Sequence, residues 1–150
     1  MSTKSLEPPR SLGRMLNFTA SAVNATSNRM LEPHGLSLAQ WVVLSALWRH
    51  GDLSVKELSG YTGNAPPATS RIVDRMIAAD LLVRVTDPKD RRAVTVGLTA
   101  KGKGLRHLET FFEDVNSMFL QGFSEEETVT LFSLLNRIEA NGKKHDASDD

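Results

Sequence analysis

The chain has 150 residues, its 18 Lys and Arg balance 18 Asp and Glu, and it contains four His and no cysteine. That length suits one domain, or two tightly coupled ones, with a real hydrophobic core. Without cysteine there is no disulfide framework, thiol catalysis, thiol redox sensing or thiolate zinc; no run is apolar enough to span a bilayer, and His34, His50, His107 and His145 lack ligand spacing, so neither metal nor cofactor is expected.

The opening MSTKSLEPPRSLG has no apolar stretch behind a basic one, so a cytoplasmic protein is expected. From 10 to 31, Leu12, Met15, Leu16, Thr19, Val23 and Met30 recur at helical spacing, which predicts a long amphipathic helix closed near EPHG. Three capping boxes then mark helix starts: SLAQ (Ser37 to Gln40), SVKE (Ser54 to Glu57) and SEEE (Ser124 to Glu127). In each, the serine hydroxyl and the residue three positions on satisfy each other's backbone donors, which predicts helices from 38, 55 and 125. The helix from 38 to 49 is apolar almost all round, and Trp41 and Trp48 read as core rather than as ligand contacts.

A short helix from 55 to about 60, the glycine-bearing turn GYTGN and a helix from about 65 to 79 follow; Pro66 and Pro67 suit only the first turn of that helix. Helix, glycine turn and helix make a helix-turn-helix pattern, a weak signal by itself. Ile72, Val73, Met76 and Ile77 share one face of the second helix with Thr69. The opposite face carries Pro67, Ala68, Arg71, Asp74, Arg75 and Ala78, with Ser70 at the boundary. Small residues with arginines are what a major groove admits.

After Asp80 the period changes to two. Val83 and Val85 alternate with Arg84 and Thr86, and Val94, Val96 and Leu98 with Thr95 and Gly97, which predicts a hairpin with those apolar residues on one buried face. Helix-turn-helix plus hairpin is a winged helix, with Arg91 and Arg92 at or near the wing tip. Thr99 is positioned to cap a further helix through about 121, and a last helix runs from 125 to about 141. The two carry more apolar surface than they can hide alone, from Leu105, Leu108 and Phe111 to Leu134, Leu135 and Ile138, so a helical dimer interface is inferred against the alternative of packing within the chain. The tail GKKHDASDD reads as disordered.

The chain is therefore expected to be mainly α with a small β-hairpin wing: a winged helix-turn-helix plus a helical dimerisation domain. Residues 1–35 supply the N-terminal helix of the dimerisation domain, 36–99 the DNA-binding winged helix, 100–142 the C-terminal dimerisation helices and 143–150 a disordered tail. Charge is unevenly spread: residues 71–106 hold nine Lys or Arg against four Asp, a net of +5, while residues 125–150 hold three against seven acids, a net of −4. A local basic excess suits a polyanion, although a solvated charged face looks the same from charge alone.

The stretch TSRIVDRMIAADLLVRVTDPKDRRAVTVGLTAKG, residues 69 to 102, resembles the recognition helix and wing of the MarR family of bacterial transcriptional regulators, and the resemblance extends over roughly residues 10 to 140. The D-x-x-D-R-R turn and the L-T-x-K-G that closes the wing are distinctive in combination. The resemblance implies a homodimer gripping double-stranded DNA, commonly a repressor, released by a small aromatic or anionic effector. It implies that Pro67, Ala68, Ser70, Arg71 and Arg75 read bases or touch the backbone, that Arg91 and Arg92 are the wing pair at the minor groove, and that Asp90 braces an arginine. It puts the effector between dimer domain and winged helix, with Met15, Phe18, Thr19, His34, Trp41, Arg106, His107 and Phe111 as candidates; Arg106 or His107 would hold an acid, or else serve only the surface or core. The sequence departs from the pattern at Pro66-Pro67, at ADLL in place of a glycine that ends the helix, and in lacking the cysteine of the peroxide-sensing branch.

The competing class is a winged helix that docks proteins without binding DNA. An enzyme is not expected, since no nucleophile elbow, phosphate loop, metal spacing or paired carboxylate motif is present.

Overall fold

The computed structural model of the chain describes residues 7–90 and 92–148. Its elements are α1 (Leu12–Leu31), a 3-10 turn (Glu32–His34), α2 (Leu38–His50), α3 (Val55–Thr62), α4 (Pro66–Ala78), β1 (Leu82–Thr86), β2 (Val94–Leu98), α5 (Ala100–Gly104), a second 3-10 turn (Arg106–Leu108), α6 (Phe111–Phe119) and α7 (Glu125–Ser148). Residues through Phe111 form one compact unit and those from Phe112 a second. The mainly α winged helix-turn-helix expected from the sequence is present, and among the described residues no helix is long and apolar enough to cross a membrane.

All three capping boxes close. Ser37 and Gln40, Ser54 and Glu57, and Ser124 and Glu127 exchange side-chain-to-backbone bonds of 2.7 to 3.2 Å in both directions. In the last, the Ser124 backbone N–H and hydroxyl hold the Glu127 carboxyl below its usual range. The folded-state pKa is depressed, so the stability this cap contributes is fully present above the ordinary carboxylate range and is lost as pH falls through the lower folded-state value.

The core of the first unit is built around α2. Val43, Leu44 and Ala46 are fully buried, joined by Leu31 of α1, Leu58 of α3, and Val73 and Met76 of α4. Burying each larger side chain contributes about 1.5–3 kcal/mol, so α4 is seated by its inner face. Trp41 and Trp48 are buried, as their sequence context predicts, and each indole N–H donates to a distant carbonyl, Trp41 to Leu108 at 2.8 Å and Trp48 to Gly102 at 3.0 Å.

Those two bonds bear on a correction. The sequence predicts one helix from Thr99 to about 121, whereas the chain forms α5, a 3-10 turn and α6. Between them the backbone tightens: Leu105 N–H reaches the Gly102 carbonyl, Leu108 that of Leu105 and Glu109 that of Arg106. Gly102 and Gly104 weaken helix propensity here, and the Gly102 and Leu108 carbonyls each accept an indole N–H from α2.

The hairpin also departs from expectation. Its register pairs Leu82 with Leu98, Arg84 with Val96 and Thr86 with Val94, and sets Val83 and Val85 opposite Gly97 and Thr95. Directly paired residues share a face, so the valines of β1 lie on the other side from Val96. Leu82 and Val96 are buried, while Val83, Val85 and Val94 are 38–45% exposed. The inward phase is set by Leu53, which forms an isolated antiparallel bridge to Val96 through bonds of 3.1 and 2.7 Å. At the other end of the chain, α7 continues to Ser148, so residues 143 to 148 are helical where a disordered tail is expected from 143; the (i, i+4) pair Glu139 with Lys143 at 2.7 Å supports that extension. Residues 149 and 150 lie outside the described residues.

Candidate nucleic-acid interface

Helix α4 presents two unlike faces. Thr69, Val73 and Met76 are completely buried, and Ile72 and Ile77 half-buried. Pro67, Arg71, Asp74 and Arg75 are exposed on the outer side, with Ala68 and Ser70 half-buried at its edges. Pro66 and Pro67 open the helix at its first two positions, where no intrahelical N–H is lost. The turn before it ends α3 at Gly63, whose φ of 74° is a left-handed conformation natural to glycine. The face the sequence assigns to a groove is thus an exposed, small-residue surface with two arginines.

The far end of α4 explains the L-T-x-K-G motif. Asp80 stands where a glycine is usual and takes φ 60°, a conformation that Asp tolerates better than most residues. The carbonyls released there are collected by the segment after the wing. Lys101 Nζ donates to Ala79 at 3.0 Å, Thr99 Oγ1 to Asp80 at 2.6 Å and the Thr99 N–H to Leu81 at 3.1 Å. Gly102 has no room for a side chain, since a Cβ would run into the Leu81 carbonyl oxygen. The motif is a clamp on the C-terminus of α4, and the Lys101 charge there also suits the helix dipole.

A second tie runs from α4 to the wing. Arg84 of β1 donates to Asp74 Oδ1 at 2.5 Å, with both side chains about half exposed. Sequence reasoning misses this pair and the Lys101 cap; the signal for the first is an acid lodged between Arg71 and Arg75 on an otherwise basic face.

At the wing tip Asp87 and Asp90 organise the backbone. The Lys89 N–H donates to Asp87 Oδ1 at 2.8 Å and the Arg92 N–H to Asp90 Oδ1 at 3.0 Å. Asp90, which the resemblance assigns to bracing an arginine, therefore holds the backbone of Arg92. The Arg92 residue is exposed. Arg91 lies outside the described residues.

The residues suggested for an effector pocket fall into separate groups. His34 and His107 meet edge to face with ring centroids 6.1 Å apart, and Trp41 and Phe111 do so at 5.4 Å. Met15, Phe18 and Thr19 lie exposed on α1; Arg14 sits over the Phe18 ring, and the Thr19 hydroxyl bonds to the Met15 carbonyl of its own helix. Met15 lines a cleft with Pro8, Pro9 and Leu12, and Arg106 a different one at the root of the wing. Among the described residues no group of three or more His, Asp or Glu is placed to hold a metal.

Comparison with known proteins follows the same geometry. A family model described as the MarR family matches residues 34–93. The HTH-type transcriptional regulator YwoH of Bacillus subtilis is 30% identical over 117 residues, which cover 78% of this chain and 80% of YwoH. The structure of Bordetella bronchiseptica BpsR, whose DNA binding is regulated by 6-hydroxynicotinic acid, is 26% identical with a TM-score of 0.80 over 91% of this chain and 98% of BpsR. A mutant of Escherichia coli MarR solved with operator DNA shares the fold with a TM-score of 0.79 at 22% identity, over 91% of this chain and 99% of that one.

Proposed function

The chain belongs to the MarR family of transcriptional regulators, and on that premise we propose that it is a sequence-specific DNA-binding repressor acting as a homodimer on a pseudo-palindromic operator. The observation that carries this reading is the outer face of α4, with Arg71 and Arg75 exposed among small residues while Thr69, Val73 and Met76 are wholly buried behind it. A helix so seated can enter a major groove without moving. Two such helices on a two-fold axis would sit about 34–36 Å apart, one turn of the duplex. Arg71 pairs with guanine O6 and N7, Pro67 or Ala68 meets a thymine methyl, Ser70 and Arg75 hold the backbone, and Arg91 and Arg92 enter the adjoining minor groove. That the same fold occurs in a protein solved on operator DNA supports the assignment.

Residues 36–99 are the DNA-binding part in this reading, and 1–35 with 100–142 the dimerisation part. Support comes from the apolar side chains left at the surface in each: Leu12, Met15 and Phe18 on α1, and Val129, Phe132, Leu134 and Leu135 on α7, are 39–64% exposed in the single chain. The effector is a small aromatic acid that binds near the His34–His107 and Trp41–Phe111 pairs and favours the form that releases DNA; BpsR, regulated by 6-hydroxynicotinic acid, supports that class. A calorimetric titration with 6-hydroxynicotinic acid and related aromatic acids should give saturable heat, and none from any of them would remove the effector from the proposal.

Selection from a random duplex library at two salt concentrations tests the main reading. The expected result is an enriched pseudo-palindrome bound with an affinity that falls steeply with salt. No enrichment and no salt dependence would overturn it in favour of protein docking.

A further inference from the structure

The root of the wing holds a cleft of about 350 Å³ that lies within the first unit. Its walls include Leu47 and Trp48 from the end of α2, Asp52 after it, Leu98 at the end of β2, Lys103 of α5 and Arg106 of the following turn. That volume is at the small end of the range for small-molecule sites, roughly 300–1,000 Å³. The floor is apolar and fixed: Leu47 and Trp48 are almost fully buried, and the Trp48 indole is pinned through its bond to Gly102.

The rim carries charge of both signs. Lys103 and Arg106 are exposed on one side and Asp52 on the other, and among the described residues no ion pair joins them. Arg106 is engaged through Nε by Glu109, while its charge still faces the cleft. Asp52 is held near the wing, since a Cβ built on Gly97 would come within 2.6 Å of its Oδ1. Opposite charges that face one apolar floor without pairing to each other are complementary to a molecule that carries both charges and an apolar body.

We propose that the wing-root cleft binds a small zwitterion, an α-amino acid with a large apolar side chain, whose carboxylate meets Lys103 and Arg106, whose ammonium meets Asp52, and whose side chain lies on Trp48. Asp52 precedes Leu53, which bridges Val96, and Leu98 ends the same strand. An occupant therefore touches both the end of α2 and the strand that carries the wing, and it alters DNA affinity only as far as it prefers one setting of the wing. This site does not depend on the pocket or the DNA contacts proposed above.

The two tryptophans allow a direct test. The full chain is labelled with 5-fluorotryptophan, each fluorine resonance is assigned by replacing one tryptophan with phenylalanine, and L-phenylalanine is added. The expected result is a saturable shift of the Trp48 resonance with Trp41 unmoved. The analogue 3-phenylpropanoate, which lacks the ammonium, should bind about tenfold more weakly. Asp52→Asn should abolish that preference, and Lys103→Met should weaken both ligands about tenfold. Both side chains are exposed, so both variants should keep the parent's thermal midpoint. A silent Trp48 resonance at tens of millimolar ligand overturns the proposal. So do equal affinity for the two ligands, binding unchanged in Lys103→Met, or a shift of Trp41 alone. None of these outcomes bears on the duplex selection.

Discussion

Helix α4 and the wing belong to one unit but are held in different ways. Three side chains of α4 are wholly buried, its first turn is set by two prolines, and the carbonyls of the turn at its far end are taken up by Thr99 and Lys101. The hairpin buries Leu82 and Val96 at its root, leaves three valines at the surface and shapes its tip with two aspartates. The difference fits the two kinds of DNA reading proposed for them. Hydrogen bonds to base edges need a helix placed to a fraction of an ångström, whereas an arginine in a minor groove reads width and benefits from a support that can follow it.

Deleting side-chain volume breaks this comparison most directly. Met76→Ala should cost about 2–5 kcal/mol of stability, because it opens a cavity at a fully buried position. Val83→Ala, on the exposed side of β1, should cost about 0.5 kcal/mol or less. Urea midpoints at constant m-value measure both, and similar losses would mean that the wing is as firmly built as the helix.

The clamp gives a sharper version with its own control. Gly102→Ala drives a methyl into the Leu81 carbonyl and should cost about 1–3 kcal/mol. It should also weaken operator binding, since the end of α4 must shift. Gly104→Ala, two residues on, meets nothing within 4 Å and should be neutral or stabilising by up to about 1 kcal/mol. Comparable destabilisation by both would show that the cost is conformational and not the close approach.

What the sequence reveals follows the same divide between local and distant causes. Capping boxes, the prolines at the start of α4 and the buried face of that helix are decided within a turn or two, and each is present as the sequence predicts. The phase of the hairpin is not local, because it is chosen by Leu53, some thirty residues before β1. Nor is the break after α5, where the indoles of Trp41 and Trp48 reach carbonyls 67 and 54 residues away. The exposed and buried faces of α4 could be read in advance, while the Arg84–Asp74 tie and the wing-root cleft depend on contacts that no spacing reveals.

Base reading and shape reading should separate on DNA. Arg71→Ala should lose about 1–3 kcal/mol on the preferred operator and little on other sequences, which flattens the preference. Arg92→Ala should weaken all sequences alike and reduce the salt slope by about one ion. Titrations on the selected operator and on a scrambled duplex at several salt concentrations measure both quantities. An Arg71→Ala variant that loses affinity equally on both duplexes would make α4 another backbone contact.

The smallest effect belongs to the pair that joins the two regions. Arg84 and Asp74 are about half exposed, so their coupling should be only about 0.2–1 kcal/mol in a double-mutant cycle on stability, and should shrink further at high salt. Its consequence for DNA has a definite sign. Asp74 is the one acid among the exposed residues of the outer face, and Arg84 neutralises it from the wing. Arg84→Ala should therefore weaken DNA binding through both a lost cation and an exposed acid, whereas Asp74→Asn should slightly lower stability and raise affinity. If Asp74→Asn lowers affinity instead, the acid contributes by fixing the angle between helix and wing, and the two regions read DNA as one rigid piece.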